Sequence, residues 1–195
     1  MMKNCMIASV VVVFLACGLV GGQNQTAATP LVELDVSGGK IRFPDLVVRD
    51  HEGRKVRFYS DLIKDKVVVL SFFYTSCTYT CTMQGKTFSR LQSLLGERLG
   101  KSVVLISVST DPGKDTLGEL KAWAERYGVQ PGWTLVTGEK SEMNKLLIPF
   151  TGSPAGAEMH LPVTFIGNDK TGEWTSADGV FAPEELLKVV DYLMR

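Results

Sequence analysis

The chain has 195 residues, 45% of them hydrophobic and 22% charged, and its 21 Lys and Arg are balanced by 21 Asp and Glu. That length and apolar content exclude a disordered chain and accommodate one ordinary domain plus a targeting segment. The charge balance excludes recruitment of nucleic acid by a basic field, so recognition must come from shape and from specific chemistry.

In chain order, the first segment is unlike the rest. Lys3 precedes an apolar run from Met6 to Cys17, and Gly21-Gly22-Gln23-Asn24 then turns small and polar. A basic start, a short apolar stretch and small residues form the pattern of an export signal over residues 1–22. The run is shorter than the roughly 20 residues that span a bilayer as a helix. Three readings stand: a retained anchor, a lipoprotein leader in which Phe14-Leu15-Ala16-Cys17 makes Cys17 the lipidated terminus, or a leader cleaved among residues 20–28. All three place the domain outside the cytoplasm, facing the periplasm or another extracytoplasmic side. In the first two the N-terminal segment holds it at the membrane. Residues 23–40 predict a flexible tether, and residues 41–195 the domain.

The domain opens with alternating segments at Phe43–Val48 and Lys55–Phe58 around the turn cluster Asp50-His51-Glu52-Gly53, a β-hairpin pattern. Val67–Phe73 is a continuous apolar run rich in β-branched and aromatic residues, as expected of a strand buried on both faces. Phe88, Leu91, Leu95 and Leu99 then recur at helical spacing. Val103–Val108 predicts a second buried strand. Leu117, Leu120, Ala124 and Tyr127 mark a second helix, stopped by Gly128. Trp133–Val136 reads as a short strand, and Met143, Leu146, Leu147 and Phe150 mark a further helix. Pro162–Ile166 predicts the third core strand, Asn168–Gly172 a turn, Glu173–Val180 another strand, and Pro183 opens a last helix. Alternating strands and helices imply a central sheet with helices on its faces. The order is that of an α/β, thioredoxin-like fold with an added N-terminal β-hairpin.

Four cysteines are present, Cys5 and Cys17 in the leader and Cys77 and Cys81 in the domain. Cys77-Thr78-Tyr79-Thr80-Cys81 follows a buried strand directly, where open α/β sheets form their sites. Four residues apart on a helix, side chains share a face at about 5–6 Å. A modest adjustment suits either a Cys77–Cys81 disulfide or two thiolates on one metal ion. Outside the cytoplasm such a pair oxidises unless it is kept reduced or occupied. Of the two histidines, His51 sits among charged turn residues and reads as solvated. His160 precedes the third core strand, in a loop that faces the cysteines in a thioredoxin topology. Two thiolates and one imidazole make a soft, low-coordinate set that favours copper and leaves a position open for exchange; structural zinc takes four protein ligands. Asp115 or Thr116 reads as the cap of the second helix, or Asp111 and Asp115 as a lining of the crevice. Met83 reads as packing or as an extra soft ligand, Pro162 as a candidate cis-proline facing the cysteines, and Trp123, Trp133 and Trp174 as packing or surface anchors.

Phe72-Phe73-Tyr74-Thr75-Ser76-Cys77-x-x-x-Cys81, Ser109-Thr110-Asp111-Pro112-x-x-Asp115-Thr116 and the downstream His160 together resemble the Sco/SenC family over most of residues 41–195. The resemblance implies that Cys77, Cys81 and His160 bind copper, as Cu(I) and Cu(II). It also implies delivery of copper to, or reduction of cysteines for, the CuA site of cytochrome c oxidase subunit II. The chain departs from that pattern in having Thr78 and Thr82 where prolines are frequent, Lys114 where Arg is common, and Met159 between Glu158 and His160. Two functions from different classes follow: a metallochaperone holding one copper ion for cytochrome c oxidase subunit II or another copper protein, and a thiol-disulfide reductase acting through Cys77 and Cys81. A copper sensor is a third reading. A peroxiredoxin-like peroxidase is disfavoured, because its Thr-x-x-Cys arrangement is absent: Thr75 stands two places before Cys77.

Overall fold

The structure, a computed structural model, describes residues 43–152, 154–155 and 162–195. The elements are β1 (Val47–Asp50), β2 (Lys55–Arg57), a wide helical turn (Phe58–Ile63), β3 (Val67–Phe73), α1 (Thr80–Leu95), β4 (Val103–Ser109), α2 (Leu117–Tyr127), β5 (Trp133–Thr137), α3 (Lys140–Thr151), β6 (Val163–Asn168), β7 (Glu173–Asp178) and α4 (Pro183–Leu193). The leader and tether readings, and the question of Cys17, lie outside the described residues. Among the described residues no helix is long and apolar enough to cross a membrane.

One sheet carries all seven strands in the order β2-β1-β5-β4-β3-β6-β7. Its centre is the pair of apolar runs. β3 and β4 are buried at every residue and pair in parallel from Val67–Val103 to Phe73–Ser109. β5 continues the parallel set. β6 and β7 add on antiparallel beyond β3, and β1 with β2 antiparallel beyond β5. The arrangement is thioredoxin-like, and β1–β2 widens the sheet on the β5 side.

Period-two alternation along the strands divides the core. Val67, Val69, Phe73, Val103 and Leu105 face α1, α2 and α4, meeting Phe88, Leu91, Trp123 and Val190. Val68, Leu70, Phe72, Val104 and Ile106 face the helical turn and α3, meeting Phe58, Ile63, Met143 and Leu146. All three tryptophans are buried, and Trp133 Nε1 donates to Ser107 Oγ, satisfying a polar pair in mid-sheet. α1 packs tightly because Gly85 lies against Trp123 and Tyr127; a Cβ there would stand 2.8 Å from the Tyr127 ring.

The hairpin turn is closed by Asp50, whose carboxylate accepts from the Glu52 and Arg54 amides and from Arg54 Nε. His51 corrects its reading as a solvated turn residue. It is half-buried, and its Nδ1 accepts from the Leu135 amide at 3.3 Å. Position in a polar turn cannot reveal that contact, because β5 is 84 residues away along the chain.

Candidate metal centre

β3 ends at Phe73, and the chain must leave the sheet, turn, and start α1 at Thr80 within six residues. The turn is made by the Cys77 amide donating to the Tyr74 carbonyl at 3.1 Å. The first turn of a helix leaves its N–H groups without intrahelical partners. At α1 the N-cap residue, Tyr79, supplies no side-chain acceptor. Cys77 takes that place: its Sγ accepts from the Cys81 amide at 3.3 Å, and the Thr80 hydroxyl lies 3.6 Å from the same sulfur. The Thr82 hydroxyl donates to the Cys77 carbonyl at 3.4 Å. The sequence thus places one cysteine under the helix terminus and the other within it.

The two sulfurs are unlike. Both are free thiols, so this is the reduced form of the pair. Cys77 is half-buried, and burial alone would raise its pKa. Hydrogen bonds from the Cys81 side chain, the Cys81 and Tyr79 backbone and the Thr80 hydroxyl outweigh that and bring it down to about 7. Cys81 is buried, and burial pushes its thiol up to about 12, with the hydrogen bond to Cys77 acting the same way. Cys77 is therefore the sulfur of the pair that ionises first, and Cys81 keeps its proton at neutral pH.

Cys81 opens onto a small crevice, of about 10 Å³, whose walls include Tyr74, Thr80, Gln84, Thr110 and Pro162. Gln84, one turn after Cys81, donates to Thr164 Oγ1 at 3.3 Å and ties α1 to β6. The crevice is ion-sized, not substrate-sized. A much larger groove, of about 650 Å³, lies between the hairpin turn and α2, with His51, Gly53, Leu117 and Lys121 in its walls. It holds no thiol.

His160 lies outside the described residues, as do Glu158, Met159 and the Leu161 side of the Pro162 peptide bond. Among the described residues no group of three or more His, Cys, Asp or Glu side chains could hold a metal ion. Met83 stands on a different face of α1 from Cys81. Two residues past Cys81 is about 200° around the helix, and its side chain is 44% exposed where Cys81 is buried.

Of the two residues read as caps of α2, Thr116 is the one that caps it and Asp115 is engaged elsewhere. Thr116 caps α2, its Oγ1 accepting from the Glu119 amide at 3.3 Å. Asp115 is 1% exposed. Its Oδ1 accepts from the Thr75 amide at 2.9 Å and the Thr75 hydroxyl at 2.6 Å, and its Oδ2 from Ser109 Oγ at 2.6 Å. Asp111 stays near the surface, paired with Lys114 at 3.2 Å.

The model of the SCO1/SenC family matches residues 45–153. No curated protein matches the chain. Among solved structures, an Aquifex aeolicus VF5 protein of provisional electron-transfer function is 27% identical, with a TM-score of 0.62 over 75% of this chain and 88% of that one. BsSco, described as a member of the Sco family of cytochrome c oxidase assembly proteins and as carrying a disulfide switch, is 21% identical, with a TM-score of 0.61 over 80% of this chain and 95% of that one. Copper-bound ScoI of Arabidopsis thaliana is 18% identical, with a TM-score of 0.62 over 77% and 96%.

Proposed function

We propose that this chain, which belongs to the SCO1/SenC family, holds one copper ion on Cys77, Cys81 and His160 and passes it to the CuA site of cytochrome c oxidase subunit II or to another copper protein. The observation that carries the reading is the unequal thiol pair at the start of α1. Cys77 ionises near neutral pH and so readily supplies the thiolate a soft cation needs, and Cys81 is a buried sulfur whose proton a bound cation would displace. Pro162 borders the Cys81 crevice, and His160 precedes it by two residues, a reach of at most about 7 Å between their α-carbons. Copper in the Arabidopsis ScoI structure and the oxidase-assembly description of BsSco support the same cargo and recipient class.

In this reading copper is cargo. Three soft or borderline donors leave a coordination position open, and an incoming thiolate of the recipient enters there before a donor of this chain departs. Cys77, nearer solvent than Cys81, is the sulfur that leaves first. The leader over residues 1–22 exports the domain and holds it at the membrane, where an oxidase subunit is met.

The test is copper titration of the reduced domain, with Cys77→Ser, Cys81→Ser and His160→Ala alongside. Wild type takes up one copper ion, and each substitution abolishes or severely weakens binding. Unchanged affinity and spectrum in His160→Ala would remove the imidazole from the site.

The split between the thiols also favours a second reading, a thiol-disulfide reductase. The Cys77 thiolate attacks a partner disulfide and releases one partner thiolate. Cys81 then loses its proton and attacks the Cys77 sulfur, forming the Cys77–Cys81 disulfide and releasing the second partner thiol, so that two electrons pass to the partner. Turnover of a protein disulfide by copper-free protein measures this activity directly.

A further inference from the structure

We infer that Asp115 is a positioning residue for the cysteine loop: its buried carboxylate, acting through Thr75, sets where Cys77 stands relative to Cys81. The metal readout of this inference rests on the copper reading above, and its amide-exchange readout rests on geometry alone.

The β3–β4 ladder stops at Phe73–Ser109, and Thr110 closes it by donating its amide and hydroxyl to the Phe73 carbonyl at 2.8 and 3.3 Å. The Thr75 amide lies one step beyond, with no strand partner left, and an unpaired backbone donor there would be costly. Asp115 Oδ1 supplies the missing acceptor and takes the Thr75 hydroxyl as well. Ser109, at the very end of β4, holds the other oxygen and so fixes the plane of the carboxylate. The chain that carries Cys77 two residues later is thus fastened at Thr75 to the end of β4 and the start of α2. A carboxylate 1% exposed is expensive to bury unless every oxygen is well bonded. Helix capping does not account for it, because Thr116 caps α2. What the three bonds hold is the approach to Cys77, whose sulfur must reach the Cys81 amide to cap α1.

The test uses four variants. Asp115→Ala removes the clamp, Thr75→Val removes only its hydroxyl arm, Asp115→Asn keeps an acceptor for Thr75, and Ser109→Ala loosens the β4 side while leaving the Thr75 bonds. Asp115→Ala is expected to lower copper affinity by about 10–100-fold and Thr75→Val by about tenfold, the range for residues that orient ligands without touching metal. Asp115→Asn restores most of that affinity. Ser109→Ala lowers the melting temperature with affinity near wild type. In metal-free protein, exchange of the Cys81 amide accelerates in Asp115→Ala and Thr75→Val, with the central β3 and β4 amides unchanged. If Asp115→Ala does not fold, Thr75→Val carries both readouts. Wild-type affinity and wild-type Cys81 exchange in folded Thr75→Val and Asp115→Ala would overturn the positioning role while leaving the copper reading intact. If the wild type itself binds no copper, the copper reading falls, and Cys81 exchange alone decides for or against the clamp.

Discussion

The rim at the end of β3 and the groove beside the hairpin turn differ in almost every respect that could mark a site. The groove is about 650 Å³, open, and bordered by a half-buried histidine. The crevice at the rim is about 10 Å³ and bordered by Cys81. Yet the strong perturbations are at the rim, where one thiol is drawn down to about 7 and its neighbour pushed up to about 12. His51 is engaged in holding β5 through its Nδ1. Volume measures room for an organic ligand, and an ion needs only donors that converge. The proposed copper chemistry therefore fits the smaller space better than the larger one.

Cysteine substitution applies the harshest trial to that contrast. Cys81→Ser should weaken copper binding by more than about 100-fold, beyond the loss typical of a supporting residue, and His51→Ala should leave affinity at wild type in the same titration. A copper affinity that followed His51 would move the site to the groove. Thiol labelling sharpens the inequality within the rim. Cys77 carries a thiol below pH of about 7 and a thiolate above it, so its alkylation rate in metal-free protein should rise through that pH and then level off. Cys81, pushed up to about 12, should stay unlabelled throughout. Mass spectrometry of the labelled peptide separates the two. Smaller effects are expected in stability. Gly85→Ala forces a methyl group against Tyr127 and Trp123 and should cost about 1–3 kcal/mol in denaturant unfolding. Thr116→Ala removes the α2 cap and should cost about 1 kcal/mol with no change in copper affinity.

Much of this could be read from the sequence because the relevant signals are local. β3 and β4 are nearly continuous apolar runs rich in β-branched and aromatic residues, the pattern of strands buried on both faces. Cys77 and Cys81 announce themselves by spacing and by following β3. What escaped depends on contacts across the fold. Asp115 sits two places before a helix, where an acidic residue ordinarily reads as a cap, and its actual partner Thr75 is 40 residues away. Cys77 as the acceptor at the α1 terminus was equally hidden, since no Ser, Thr, Asp or Asn stands at the N-cap to suggest how that end is satisfied. The alternation of Lys55–Phe58 predicts only a strand, and nothing local predicts the helical turn Phe58–Ile63, because its apolar residues Phe58 and Ile63 serve the face shared with α3 and show no helical run of their own.

The two ends of the sheet carry a practical consequence. β2 is only three residues long and sets Lys55 and Arg57 on either side of a single valine, and β7 at the far edge begins with Glu173 and ends with Asp178. A second molecule trying to zip onto either border would meet too few free amides on one side and charge at both ends of the other. Concentrated stocks of the folded domain should accordingly stay clear and free of fibrils.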